Sequence, residues 1–285
     1  MRDKVVAGVD FSNSKENPSE TWLVVGRISN VGFEILEVKK TVSHALNKDL
    51  DAHKTLSALG VDCPFSLPVA FLDFLASKKI KKGYQSWQEV VEELVFIPFD
   101  DFAALAKEFG KEPKRVTDTV GGAALNSPLR RANPAMLQLT HHGMRTLASL
   151  DPKRFFVLPF QDAIPFGCAV MEVQPKETLK YLGIVDASYV SKDKHDESEL
   201  EAHRDKLVQN LTKVKERKAL SLKEFPALII QKSFLHNFRH SDRAINALIS
   251  CYTTAMFSAA PEHFDDPFSA DSLEVLLEGW VYRPK

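Results

Sequence analysis

The stretch Val5-Val6-Ala7-Gly8-Val9-Asp10-Phe11-Ser12 predicts the first strand of the fold. It is a short apolar run, rich in valine, that delivers a carboxylate at its end and leads into a polar loop. This pattern is typical of a buried strand whose last residues emerge at the edge of a sheet. Because open α/β sheets bind ligands at the carboxyl ends of their strands, Asp10 is a candidate site residue.

Two other acids also lie at the boundary of a predicted element. Asp62 ends a second apolar run, and Asp242 opens a long helix predicted over residues 242–260. Asn246 lies one turn after Asp242, so both project from the same face of this helix. The helix is rich in small residues, which would let it lie close against a sheet.

The first sixty residues predict a β-β-β-α-β unit. Strands are expected over residues 21–29 and 32–41, since the intervening Asn30-Val31-Gly32 has the chemistry of a hairpin turn. A helix is expected over residues 43–58, and a crossover helix makes the strand into Asp62 parallel to an earlier one. Asp10 and Asp62 would then share one edge of the sheet if their strands are neighbours.

The remaining chain alternates helical and strand-like segments. Residues 86–150 favour helices, within a mostly helical insertion at about residues 78–152 of a single 1–285 domain. Strands are expected over residues 154–158 and 167–173, and a helix-like segment over residues 221–234. Residues 277–282 predict a closing strand.

The bulk composition is that of an ordinary globular protein. The 285 residues are 26% charged and 44% hydrophobic, with a formal net charge of −1. This charge lacks the strong basic signature of a dedicated nucleic-acid binder, so such a site would be a local patch. The three cysteines form no CxxC pair, the chain has no membrane-length apolar run, and no signal peptide is expected. These features favour a cytoplasmic protein that does not enter a membrane.

Several polar residues outside the three aspartates are candidates for a role at the site. Glu172 lies in an otherwise apolar strand, where a carboxylate is costly to bury unless it is paired or metal-bound. A functional role and an arginine partner explain it equally well. The candidates for contacts with substrate phosphates are Ser12, Arg115, Arg131 and Arg145.

Each aspartate taken alone has a structural explanation. Asp10 can form an Asx-turn, Asp62 can cap the next segment, and Asp242 suits the first turn of a helix. If the three converge at one sheet edge, their like charges repel unless a divalent cation neutralises them. Mg²⁺ and Mn²⁺ take oxygen ligands and commonly bridge carboxylates to substrate phosphates. The three acids therefore predict a Mg²⁺ or Mn²⁺ site.

Motifs along nearly the whole chain then point to a family. They are Gly8-Val9-Asp10-Phe11-Ser12, Val61-Asp62-Cys63-Pro64-Phe65-Ser66-Leu67-Pro68, Arg115 with Asp118, Gly143-Met144-Arg145, Glu172-Val173-Gln174-Pro175, Ser241-Asp242 through Asn246-Ala247-Leu248, and Glu278-Gly279-Trp280-Val281-Tyr282. Their order resembles the ribonuclease H-like superfamily, and within it a family of predicted nucleases that is largely a domain of unknown function.

The resemblance implies an α/β fold with a five-stranded mixed sheet, helices on both faces and an acidic metal site. It implies Asp10 and Asp62 as strand ligands, Asp242 as the helix ligand and Glu172 as a possible additional member. It further implies a nuclease that acts on RNA or structured DNA, and a possible homodimer because resolvase-like relatives tend to be dimers. One departure is Asn246, where the family often has a second acid on the last helix.

Two other functions compete with the nuclease. Kinases and ATPases that share this broad fold carry an aspartate on the first strand before a phosphate-binding hairpin, a part that Ser12, Asn13 and Ser14 could play. The loop holds no glycine, which disfavours this function. A catalytically silent nucleic-acid-binding module is the other alternative, because Asn246 supplies less charge than an acid.

Overall fold

A seven-stranded mixed sheet organises the chain in the order β5-β6-β4-β1-β2-β3-β7. The computed structural model describes residues 3–11, 20–80, 82–120, 125–184, 189, 196–216, 224–270 and 272–285. In this part of the chain the strands are β1 Lys4–Phe11, β2 Glu20–Ser29, β3 Gly32–Val42, β4 Leu56–Asp62, β5 Phe155–Val157, β6 Cys168–Glu172 and β7 Leu228–Ile229. The fold class is therefore α/β, as predicted.

Ten α-helices accompany the sheet in the described residues. They are α1 Leu46–Asp51, α2 Val69–Lys78, α3 Trp87–Leu94, α4 Phe99–Phe109, α5 Pro134–Ala148, α6 Pro175–Tyr181, α7 Glu197–Thr212, α8 Leu235–His240, α9 Asp242–Ala259 and α10 Val275–Glu278. Side-chain caps begin several of them; the Ser86 and Ser241 hydroxyls, for example, accept hydrogen bonds from backbone N–H groups of α3 and α9. Within the described residues, no helix combines the length and apolar character that a membrane crossing requires.

Alternate residues of the central strands face two separate cores. Val6 and Val24 point into a core shared with α6 to α9, whereas Ala7 and Leu23 point into one shared with α1 to α5. Helices therefore cover both faces of the sheet. This arrangement follows from the two-residue period of a strand, because both sets of alternating side chains are apolar.

The β-β-β-α-β unit is confirmed, and its register places the two aspartates side by side. β1 is antiparallel to β2 and parallel to β4, and Gly8 is the Cα partner of Gly60 just as Asp10 is the partner of Asp62. The crossover helix α1 is shorter than predicted because β4 already begins at Leu56. Both acids therefore lie at the carboxyl edge of neighbouring parallel strands.

The sheet has two more strands than the five that the resemblance implies. The five inner strands β6-β4-β1-β2-β3 are contiguous, and the short β5 and β7 extend the two edges. Strand character was predicted for β5 and β6 and is confirmed. The segment 221–234 is predicted to be helix-like with an interruption at Pro226; in its described part, from residue 224 on, Leu228–Ile229 form β7 and pair with β3, and Lys232–Phe234 form a 3₁₀ turn.

The closing strand predicted over residues 277–282 is wrong. Residues Val275–Glu278 form a helical turn, which ends at Gly279 with φ +83°. Beyond it, Val281 makes an isolated parallel bridge with Glu172. The segment is too short for its apolar pattern to separate a strand from a helical turn, so its tertiary contacts decide.

The long helix α9 lies directly on the central strands, as its small residues predicted. A Cβ atom on Gly8 would lie 2.1 Å from the Cys251 amide nitrogen and 2.3 Å from the Ala247 carbonyl oxygen. A Cβ atom on Gly60 would lie 2.1 Å from the Thr254 hydroxyl oxygen. The paired glycines thus form a flat patch on which the helix backbone rests.

We expect Gly60→Ala to lower the free energy of unfolding by about 1–3 kcal/mol, the usual cost of overpacking. Thr254→Ala in the same chain should recover part of this loss, because the threonine hydroxyl is the atom nearest to the added methyl group. Gly8→Ala should not be rescued by Thr254→Ala, since its nearest neighbours are backbone atoms. Urea unfolding of the single and double variants measures these differences, and equal rescue of both glycine variants would contradict this packing.

Candidate functional site

The centre of the site is the pair Asp10 and Asp62. Asp10 is 4% exposed and Asp62 is partly buried, at the ends of β1 and β4. Among the described residues, the buried Asp10 Oδ2 atom has no hydrogen-bond partner. A buried carboxylate oxygen without a hydrogen bond is costly, so this atom is open to an interaction beyond the ion pair described next.

The N-terminus of α9 brings a cation and a further acid to this pair. Ser241 caps the helix, and Arg243 in its first turn donates from Nη1 to the Phe11 carbonyl oxygen at 2.8 Å. The same Nη1 lies 3.5 Å from Asp10 Oδ2. Asp242 is close enough for its charge to raise the pKa of Asp10. The predicted convergence of elements is therefore observed, with an arginine added.

Asn246 lies beside Asp10 and is held by Tyr189. The Tyr189 hydroxyl donates to Asn246 Oδ1 at 2.9 Å. The Asn246 side chain is close enough to Asp10 to lower the pKa of that carboxyl. Because the amide oxygen already accepts from Tyr189, the amide nitrogen is the group that can act as a donor toward Asp10.

Tyr189 is itself held by a buried arginine. Arg204, 1% exposed on α7, donates from Nε to the Tyr189 carbonyl oxygen at 3.2 Å. Its Nη1 donates to the Arg239 carbonyl oxygen at 3.1 Å and to Glu197 at 3.0 Å. A chain of hydrogen bonds thus runs from Arg204 of α7 through Tyr189 to Asn246.

Excess negative charge raises the pKa of both central acids. Burial is the largest cause for Asp10, whose pKa lies well above its ordinary value, and the charge of Asp62 adds to it. Burial, followed by the charge of Glu172, raises the pKa of Asp62 to about 7. Lys176 and Arg243 oppose the shift at Asp62 without cancelling it. Strongly shifted acids in a cleft are typical of functional sites.

Glu172 belongs to a buried ion-pair network with Arg115. The guanidinium donates from Nη2 to Glu172 Oε1 at 2.6 Å and from Nη1 to Oε2 at 2.8 Å. Its Nη2 also donates to Asp118 Oδ1 at 3.0 Å, and Glu172 Oε2 accepts from the Phe65 amide at 2.9 Å. Of the two explanations for Glu172, the geometry favours the arginine partner.

The network also changes the role expected of Arg115. The side chain is 2% exposed, and its N–H groups are used by Asp118, Glu172 and the Glu278 carbonyl oxygen. A buried guanidinium with these partners holds the strands and the 3₁₀ turn at residues 116–118 together. The predicted contact of Arg115 with a substrate phosphate is not supported by this geometry.

The Glu278 carboxylate supports the same region from the C-terminal segment. Its Oε1 accepts from the Val69 amide and its Oε2 from the Val116 amide, each at 2.6 Å. Sequence reasoning quoted Glu278 only within a family motif and assigned it no role. Its contacts are structural, because they satisfy backbone donors at the start of α2 and of the 3₁₀ turn.

The other three phosphate candidates lie in different places. Arg131 is exposed and forms an ion pair with Glu112 at 2.9 Å. Arg145 is exposed on α5 and lines a cavity separate from the one beside Asp62. Ser12 lies outside the described residues.

A cavity of about 310 Å³ opens beside Asp62 at the ends of β4 and β6. Lys176 and Gln174 from the start of α6 line one side, and Asn126 and Asn133 line another. This cavity holds polar donors next to a carboxylate of raised pKa. It therefore provides room for a polar ligand at the central acids.

The three aspartates do not form a preassembled metal cage. Among the described residues, the group of three whose ligand atoms all lie within 4.8 Å of one another is Glu224, Glu262 and His263, on the surface. Asp10 and Asp62 are therefore the pair that could hold a cation, while Asp242 acts on Asp10 through its charge. Lys176 and Arg243 supply positive charge beside them.

Sequence reasoning missed Arg243, Tyr189 and Arg204. Arg243 carried a usable signal, because a cation in the first turn of a helix opposes the helix dipole and needs a separate reason to be there. Tyr189 and Arg204 carried none, since their roles depend on contacts between distant parts of the chain.

Comparison of the chain with protein-family models, with curated proteins and with solved structures finds no match. The geometry of the site is therefore the basis for assigning a function.

We expect Arg115→Met to cost about 3–5 kcal/mol of unfolding free energy, because it leaves buried carboxylates without a partner. Arg131→Met, at an exposed ion pair, should change it by less than about 1 kcal/mol. Urea unfolding of the protein without metal or substrate measures both. Similar small effects of the two substitutions would contradict a structural role for Arg115. If Arg115→Met does not fold, Glu172→Gln provides the test. It removes one of the two buried carboxylate charges that face Arg115 and leaves Asp118 as its partner, so it should destabilise the fold less than Arg115→Met.

A second prediction concerns pH. The Asp62 carboxyl has an ordinary pKa of 3.8 when unfolded and about 7 in the fold. The unfolded chain therefore loses this proton first, so ionisation of Asp62 lowers stability progressively as pH rises from about 4 to 7. Asp62→Asn should raise Tm by about 2–4 °C or more at pH 8 and by little at pH 4.

Thermal unfolding of metal-free protein across this pH range measures the difference. Asp162→Asn, at an exposed acid, is the control and should show no such trend. A rise in Tm on Asp62→Asn that is the same at all pH values would contradict the raised pKa of Asp62.

Proposed function

We propose that this protein is a metal-dependent nuclease that hydrolyses phosphodiester bonds of RNA or structured DNA. The observation that carries the proposal is the placement of Asp10 beside Asp62 across neighbouring parallel strands. Both acids lie at the carboxyl edge of the sheet, where ligands bind in open α/β folds. Both also have raised pKa values, which a bound cation would relieve.

The fold supports membership of the ribonuclease H-like superfamily. The chain begins with the β-β-β-α-β unit, and its five inner strands form a mixed sheet with helices on both faces. These are the features that the sequence resemblance implies. Because fold alone does not determine function, the acids carry the functional part of the proposal. Cytoplasmic location and a homodimer remain predictions.

The residues at the centre fit a hard divalent cation. The donors that converge there are carboxylate oxygens, which Mg²⁺ and Mn²⁺ prefer, and within the described part of the chain the buried Asp10 Oδ2 has no hydrogen-bond partner. Asp10 and Asp62 would hold the ion. The chemistry that such an ion supplies when bound is activation of a water and stabilisation of the leaving oxygen in phosphodiester hydrolysis.

The chain's own groups would bind and position the substrate around these acids. The Lys176 ammonium lines the cavity beside Asp62 and can neutralise a phosphate oxygen. Asn246 lies close enough to Asp10 to lower the pKa of its carboxyl, and the Tyr189 hydroxyl holds the Asn246 amide. Groups held in place before substrate arrives are the arrangement that catalysis requires.

One observation favours the alternative of a catalytically silent nucleic-acid-binding module. The Arg243 guanidinium, 3.5 Å from Asp10 Oδ2, already supplies a positive charge where a metal would bind. A site neutralised in this way could bind phosphate without metal. The hairpin that a kinase or ATPase would use, Ser12 to Ser14, lies outside the described residues, so nothing in the described structure favours that function.

The test is Mn²⁺-dependent cleavage of labelled single strands, an RNA–DNA hybrid and a four-way junction, with Asp10→Asn beside the wild type. We expect at least one substrate to be cut by the wild type and cleavage to fall by more than about 100-fold in the variant, because the ion loses its main ligand. Asp162→Asn is the matched control and should cut normally. Substrate cut equally by Asp10→Asn and wild type would overturn the assignment.

Metal binding is measured separately by thermal unfolding. Saturating Mn²⁺ should raise Tm of the wild type, since a ligand at about 100 times its Kd stabilises the fold by about 2.7 kcal/mol. The rise should be lost in Asp10→Asn and kept in Asp162→Asn. A wild type that shows no rise but shifts a labelled oligonucleotide in EDTA would favour the silent module.

A further inference from the structure

A second cavity, of about 460 Å³, lies on the other side of α5 from the Asp62 cavity. We call it the histidine cleft and define it by Ser43 and His44, just after β3, and by His141, His142 and Arg145 of α5. Its volume is within the usual range for small-ligand sites. None of its residues takes part in the site described above.

The histidine cleft is joined to the central acids through Phe11. The His142 ring contacts the Phe11 ring edge-on, with centroids 5.4 Å apart, and Phe11 follows Asp10 directly. β3 is antiparallel to β2, which is antiparallel to β1, so β3 and β1 end at the same edge of the sheet. A ligand in the cleft therefore lies at the same sheet edge as Asp10.

The histidine cleft and the Asp62 cavity differ in the charge of the side chains that line them. Among the described residues no carboxylate lines the cleft, whereas Asp62, Asp118, Glu172 and Glu177 line the other cavity. The cleft contains an arginine and three histidines. The Arg145 guanidinium is the group that attracts an anion, and the described residues of the cleft offer no carboxylate to neutralise a cation.

Three donor side chains of the cleft are without a partner among the described residues. In the described part of the chain, the side chains of Arg145, His44 and Gln138 make neither a hydrogen bond nor an ion pair. Other arginines near the site are occupied; Arg115 and Arg131, for example, are held by acids. Arg145 is thus an exposed guanidinium that is available to a ligand, in the fork geometry that suits a phosphate.

The remaining side chains shape the cleft. His141 Nε2 bonds the Ile97 carbonyl oxygen at 2.8 Å, and His142 Nε2 bonds the Ser43 hydroxyl at 2.7 Å. Burial lowers the pKa of both histidines, and the charge of Arg145 contributes, so their rings are neutral at pH 7. The partly exposed Phe99 ring stands 5.7 Å from the His141 ring and forms an apolar wall. Such a wall can stack a base.

We infer that the histidine cleft binds one nucleotide unit, with its phosphate on Arg145 and its base against Phe99. The inference rests on the proposed function in one respect, that the nucleotide belongs to the strand whose phosphodiester lies at Asp10. The cleft would then hold the substrate strand next to the reacting phosphate and contribute affinity without contributing chemistry.

The test measures binding to the full-length protein in EDTA, so that no metal takes part. The probes are a fluorescein-labelled uridine trinucleotide, followed by anisotropy, and unlabelled AMP as competitor. Arg145→Gln should weaken trinucleotide binding at least about tenfold, because charge-assisted bonds to phosphate are lost. Phe99→Leu should weaken it about fivefold or more, since one base loses its stacking partner.

Arg27→Gln is the matched control. Arg27 lies near the hairpin at the opposite edge of the sheet, in an ion pair with Glu34 at 3.1 Å. The Arg27→Gln variant should have a Kd for the trinucleotide within about twofold of the wild-type value, because a surface ion pair remote from the ligand contributes little. Equal binding by Arg145→Gln and Arg27→Gln, or no binding by the wild type at millimolar trinucleotide, would overturn the inference.

Two further arms separate this inference from the nuclease. If the wild type binds the trinucleotide and Arg145→Gln weakens this binding as expected, but no substrate is ever cut, the cleft stands and the nuclease fails. If the wild type cuts and Arg145→Gln keeps the same KM, the nuclease stands and the cleft fails. Competition by AMP at the same concentration as the trinucleotide would identify a free nucleotide as the ligand, whereas much weaker competition would identify a unit within a strand.

Discussion

The close contact between α9 and the paired glycines Gly8 and Gly60 is the constraint on which the site depends. Two neighbouring strands and one helix can approach this closely only where neither strand has a side chain. The contact brings the first turn of α9 to the ends of β1 and β4. Arg243 and Asn246 therefore reach Asp10, while Asp62 is brought beside it by the strand register.

Charge distribution along the sheet edge follows from this packing. Asp10 and Asp62 lie close together and partly desolvated, so their ionised forms are disfavoured. Glu172, one strand farther along, has Arg115 and the Phe65 amide as hydrogen-bond partners, which oppose the rise in its pKa caused by burial. Neighbouring carboxylates at one edge thus differ in role because one has a buried cation and the others do not. Unsatisfied acids are a cost in stability that is typical of functional sites.

The helix α5 divides the carboxyl edge into two regions of opposite chemistry. On one side the Asp62 cavity is acidic, and on the other the histidine cleft has donors and no carboxylate among the described residues. A polyanionic strand and a metal ion need both kinds of surface close together. This division offers a physical reason why a chain with a net charge of −1 can still suit a phosphate-bearing ligand locally.

Local pattern by itself determined the α/β class and the β-β-β-α-β unit, because strand periodicity and a crossover helix leave few arrangements open. It placed Asp10 and Asp62 at one edge on the condition that their strands are neighbours, and the strand pairing supplied that condition. It also indicated that α9 would lie flat on the sheet, from its small residues. Tertiary structure alone decided the partner of Glu172, the orientation of Asn246 and the helical turn at residues 275–278. Each of these depends on groups far apart in the chain, such as Arg115 with Glu172 or Tyr189 with Asn246, and such contacts leave no signal in a single sequence.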